Sequence, residues 1–92
     1  MTNYDITIYD CEHHTIGAFD VRTSHSQKGT MLYQFWSGLA LKYYSVEEVL
    51  RQLHKKLNEL HVNSVEYKHI DSAILSLKQY DSEGNYVYVN WN

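Results

Sequence analysis

Apolar and polar residues alternate from Asn3 to Arg22, and the alternation predicts two strands on either side of Cys11-Glu12-His13-His14. With a four-residue loop, Tyr4, Ile6 and Ile8 share a face with Gly17, Phe19 and Val21. A three-residue loop would set Asp20 beside Ile6, so the register favours the longer one. Thr23 to Thr30 is polar and ends in Gly29-Thr30, which reads as a loop. Met31 to Trp36 reads as a third strand. Ser37-Gly38 reads as a turn, and Leu39 to Tyr44 as a short fourth strand.

The pattern then changes period. Val46, Val49, Leu50, Leu53, Leu57 and Leu60 recur at helical spacing and form one apolar stripe. Ser45-Val46-Glu47-Glu48 has the form of a capping box. Tyr44 and Val49 fit a hydrophobic staple. Lys55 and Lys56 lie towards the negative end of the helix dipole. A helix over about residues 46–62 follows, with Asn63 as its stop.

Beyond it, Val65 to Ile70 alternates as a strand. Ala73 to Tyr80 and Tyr86 to Trp91 read as a hairpin closed by Ser82-Glu83-Gly84, with glycine at the left-handed position. In that hairpin Tyr80 faces Tyr86 and Lys78 faces Tyr88 on the outer side. The expectation is one α+β domain over residues 1–92. It is a mostly antiparallel sheet with one amphipathic helix on one face, in the order β-β-β-(β)-α-β-β-β.

Composition narrows the class. The 92 residues are 43% hydrophobic and 21% charged, with no proline and four glycines, which suits an ordered globular chain. No apolar run is long enough to span a bilayer, and no signal-peptide pattern is expected at the start. The formal charge is −3, and all of it falls in residues 1–22, where Asp5, Asp10, Glu12 and Asp20 meet Arg22 alone. A basic footprint for nucleic acid is missing. Six histidines can reverse the net sign in mild acid. The single Cys11 excludes an internal disulfide and suits a reducing, cytoplasmic setting.

Candidate chemistry is sparse. Cys11, Glu12, His13 and His14 carry metal-binding atoms. However, no second cysteine or Cys-x-x-Cys accompanies them, and His54 and His61 are too far apart along a helix for one ion. No nucleophile elbow, P-loop, dinucleotide fingerprint or His-Glu-x-x-His occurs, so neither a cofactor, a metal nor an enzymatic activity is expected. What remains is surface recognition. Tyr80, Tyr86 and Tyr88 with Lys78 form an aromatic face, and Trp36 is a further anchor. Asp5, Asp10, Glu12 and Asp20 form an acidic surface that steers basic partners.

The expected function is therefore a small, non-enzymatic protein-recognition domain that blocks a partner sterically. Inhibitors, immunity-type proteins and adaptors share this profile, including those of phages and mobile elements. The alternative is a single-stranded nucleic-acid module that stacks bases on the open sheet. An edge strand, with Tyr86 to Trp91 the expected one, also offers pairing to a second copy.

Overall fold

The computed structural model describes residues 2–23 and 31–91. Of the expected loop from Thr23 to Thr30, Thr23 instead closes strand pairing with Thr2, and residues 24–30 lie outside the described residues. Seven elements follow one another: β1 (Thr2–Tyr9), β2 (Thr15–Thr23), α1 (Met31–Leu39), β3 (Tyr43–Ser45), α2 (Val46–Asn58), α3 (Val65–Lys78) and β4 (Tyr86–Trp91). The strands form one antiparallel sheet in the order β2-β1-β4-β3. The α+β class, the antiparallel sheet and the amphipathic helix on one of its faces are as the hydrophobic pattern requires.

The first hairpin keeps the favoured register. Tyr4 pairs with Val21, Ile6 with Phe19 and Ile8 with Gly17, and Asp5 lies opposite Asp20. A bulge follows between Ile8 and Tyr9, so that Tyr9 pairs with Thr15. Such a bulge inserts a residue on one strand and locally sharpens its twist.

Helix α2 begins where the cap predicts. The Ser45 hydroxyl accepts from the Glu48 amide at 3.0 Å. Only half of the capping box forms, because the Glu48 carboxylate turns instead to Gln52 and Arg51. Val46, Val49, Leu50 and Leu53 are buried. The helix ends at a cap on Glu59, one turn earlier than Asn63.

Three segments that alternate like strands are helical. In α1, Leu32, Phe35, Trp36 and Leu39 sit at i, i+3, i+4 and i+7, and the last three are buried. Their aromatic, β-prone composition masks this period in a short window. Ser37 and Gly38 continue the helix, and the expected strand at 39–44 contracts to β3 plus one bridge from Ala40 to Val89.

Val65–Ile70 and most of the expected strand Ala73–Tyr80 fuse into α3, which ends at Lys78. Ser64 caps it by accepting from the Tyr67 amide at 3.1 Å. Ala73, Leu75 and Leu77 satisfy a two-residue repeat, while Ile70, Ala73, Ile74 and Leu77 satisfy a helical one. Burial of the second set and 65% exposure of Leu75 decide for the helix. Gly84 does take a positive φ of 89°, but it links α3 to β4 and closes no hairpin. β4 lies between β1 and β3, so Tyr86–Trp91 is an interior strand and the edges are β2 and β3.

One apolar core fills the space between sheet and helices. Tyr4, Ile6, Ile8, Val21, Val87 and Val89 enter from the strands; Trp36, Val49, Leu53, Ile70 and Leu77 enter from the helices. The Tyr4 hydroxyl, brought into this core with its ring, bonds the Ser37 hydroxyl at 2.7 Å. Pairing a buried polar group in this way avoids its desolvation penalty.

Candidate docking face

Side chains alternate across a strand, so burying one set commits the other to the opposite face. With Tyr4, Ile6, Ile8, Val87 and Val89 turned to the helices, β1 and β4 turn Asp5, Thr7, Tyr9, Tyr86, Tyr88 and Asn90 the other way. β3 adds Tyr43, because its neighbour Tyr44 packs inward. Among the described residues no element covers this second face.

Its aromatic side chains gather at one end. Tyr43 lies 4.7 Å from Tyr88 and 5.4 Å from Tyr86, centroid to centroid. Tyr9 lies 5.5 Å from Tyr86. The His13 ring stacks on Tyr9 at 4.6 Å with planes 2° apart, and its Nδ1 is hydrogen-bonded to the Tyr86 hydroxyl. Offset and edge-on contacts of this kind hold rings in a fixed arrangement, which lowers the entropy lost on docking. Tyr43 remains 55% exposed.

The loop between β1 and β2 positions His13. Asp10 Oδ1 accepts from the amides of Glu12 and His14, each at 2.9 Å. The Asp10 amide in turn donates to the His14 carbonyl at 3.0 Å. This tight loop puts His13 in the left-handed region, at φ 67°. The bond from the His14 amide leads the contributions that hold the Asp10 carboxyl below its ordinary value; desolvation opposes it, and the Glu12 amide and the His14 side chain reinforce it. Tyr86 is pushed above the usual phenol value, first by desolvation, then by Tyr43, Tyr9 and Asp10.

The expected site residues do not share one surface. Tyr86 and Tyr88 lie on the open face, and Asp5 and Asp20 lie opposite each other on it. Glu12 is exposed in the loop, and Asp10 serves the loop's own amides. Tyr80 crosses to the helix side and packs on the core, where a Cβ at Gly17 would collide with its ring. Lys78 is exposed in the last turn of α3, away from Tyr88. Trp36 is wholly buried and offers no surface for docking. The alternation of polar and apolar residues assigns these three to a hairpin and a strand, but Lys78 and Trp36 are helical and Tyr80 lies in the turn just beyond α3.

Tyr9, His13 and Tyr43 join the face without being among the expected residues. Tyr9 is legible as the outward continuation of Asp5 and Thr7. His13 depends on the loop geometry, and Tyr43 depends on β3 pairing with β4.

Among the described residues, no three His, Cys, Asp or Glu side chains converge to hold a metal ion. A cleft of about 290 Å³ between α1 and α2 is floored by Phe35, Leu39 and Tyr44 and rimmed by Gln34, Gln52 and Lys56. Those residues include no nucleophile paired with a base. No described helix is long and apolar enough to cross a membrane. Comparison of the chain with protein families, with curated proteins and with solved structures gives no match.

Proposed function

We propose that this chain is a non-enzymatic protein-recognition domain that docks through the open face of its sheet. The observation that carries the reading is the cluster of Tyr9, His13, Tyr43, Tyr86 and Tyr88, held together on the face opposite the core. Tyrosine contributes large contact area, few rotamers and a hydroxyl for bonding across an interface. Asp5, Asp20 and Glu12 lie on or beside this face, so its occupant is a protein surface with a basic rim. Docking blocks whatever that surface otherwise does, as an inhibitor, immunity-type protein or adaptor would. The lone, exposed Cys11 suits work in a reducing cytoplasm.

The same carboxylates oppose the phosphates of a single-stranded nucleic acid, which makes base stacking on these rings the weaker reading. The test is co-purification from the cells that express the chain. The samples are wild type, a Tyr43→Ser/Tyr88→Ser variant and a Lys78→Ser control. A stoichiometric protein kept by wild type and control but lost by the tyrosine pair supports the proposal. Equal retention by all three, or a nuclease-sensitive bound fraction in place of a protein, overturns it.

A further inference from the structure

Helix α1 has a glycine where its backbone needs none. Gly38 is the penultimate residue of the helix and does not take a positive φ. The left-handed position lies three residues on, and Leu41 holds it at φ 65°. Glycine weakens a helix relative to alanine, because it gives up more backbone freedom on folding. Close packing does not require Gly38 as it requires Gly17. A Cβ at Gly38 would meet no described atom within 4 Å, whereas one at Gly17 would strike Tyr80. The space beside Gly38 is the cleft of about 290 Å³ between α1 and α2, which Gly38 helps to line.

The rest of the lining selects a ligand. Phe35 and Leu39, both buried, and Tyr44, which packs on the core, give an apolar floor. Lys56 carries the one charge among the described lining residues, and Gln52 adds an amide. Lys56 Nζ lies 3.5 Å from a Glu59 carboxylate oxygen, and the two side chains are 36% and 53% exposed. A surface pair of this kind is weak, so the ammonium is readily shared with another anion. An apolar floor with a few placed polar groups is the usual make-up of a small-ligand site, and this volume sits at the lower end of the range.

We infer that the cleft binds a small aromatic carboxylate, its rings on Phe35, Leu39 and Tyr44 and its carboxylate against Lys56, with Gly38 leaving the space it fills. The cleft lies on the helix side of the sheet, so this binding is independent of what the open face docks.

The probes are 2-naphthoate and the uncharged 2-naphthamide, each titrated into the isotope-labelled full chain and followed by NMR. Naphthoate shifts the Phe35, Gly38 and Leu39 signals and saturates with a Kd of about 1 mM or tighter. Naphthamide binds about fivefold more weakly, because it lacks the charge for Lys56. Lys56→Gln brings naphthoate down to the affinity of naphthamide. Gly38→Leu fills the cleft from the helix and weakens both probes by about tenfold or more. Gly38→Ala melts above wild type, as a helical glycine with open space beside it should. The inference is overturned if no saturable shift appears at these signals, or if the two probes bind wild type equally. Unweakened binding by Gly38→Leu overturns it too. So does a Gly38→Leu chain that fails to fold, or a Gly38→Ala chain that melts below wild type, since the space beside Gly38 would then not be open.

Discussion

The indole Nε1–H of Trp36 donates to Nε2 of His69 at 3.2 Å, tying α1 to α3 beside the core. The two rings meet edge to face, with centroids 6.4 Å apart. To accept this bond, Nε2 must be unprotonated, so the imidazole is neutral and carries its proton on Nδ1. Burial also disfavours the charged ring and holds the His69 pKa below its ordinary value.

Acid should therefore weaken the fold through His69. Above about pH 6.5 neither the folded nor the unfolded chain binds this proton, and its contribution is flat. Below that, the unfolded chain takes a proton that the folded one refuses, so stability falls until the pH passes the lowered folded value. Thermal unfolding between pH 7 and pH 5 reads the loss. His69→Gln keeps an acceptor for Trp36 without a titrating group, and its melting temperature should vary less over that range. An unchanged pH dependence in His69→Gln would remove His69 as the cause.

Gly17 and Tyr80 form a matched pair across the sheet's helix side. Gly17→Ala puts a methyl group where the Tyr80 ring lies and should destabilise by about 1–3 kcal/mol, the usual range for overpacking. In a Tyr80→Ala background the same methyl group meets open space, so the two effects should be far from additive. Urea unfolding of the two single variants and the double variant measures the coupling; simple additivity would separate the two residues.

Asp10 should act on the aromatic face through the loop. Asp10→Ala removes the acceptor of two amides and releases the geometry that stacks His13 on Tyr9. The ring-current shifts of the His13 protons should collapse towards free values, with the Tyr4 core signals unmoved. The folded pKa of Asp10 is depressed, so its contribution is present above the ordinary carboxylate value and lost as pH falls through the folded one. Acid titration of those shifts should follow the same course.

Tyr43→Ser tests whether the face is held for stability or for contact. The ring is more than half exposed, so its removal should change the unfolding free energy by no more than about 0.5 kcal/mol. Partner binding should fall at least about tenfold, as for an interface anchor. A large stability loss would instead make the ring part of the scaffold.

The local signals that read correctly are those with one physical solution. The Ser45 cap and the Val46–Leu53 stripe suit only a helix, and the Tyr4–Ile8 alternation suits only a strand. The Asp5–Asp20 opposition follows from the register alone. Windows such as Ala73 to Lys78 fit two periods equally well, and nothing local separates them. The docking face inherits that ambiguity. Tyr86 and Tyr88 are legible from alternation within β4, while Lys78 and Trp36 are expected there from strands that are helices, and Tyr80 from a hairpin that is replaced by the turn after α3.

Local patterning is enough to specify an α+β chain with an antiparallel sheet, an apolar helix stripe and an acidic first hairpin, because capping, periodicity and charge act over a few residues. Long-range packing makes Trp36 core, puts β4 in the interior of the sheet, and brings Tyr9, His13 and Tyr43 to Tyr86 and Tyr88. Those outcomes depend on which distant surfaces cover one another. Burial of Ile70, Ala73, Ile74 and Leu77 against the sheet, which no short window contains, is what settles the period of the chain there.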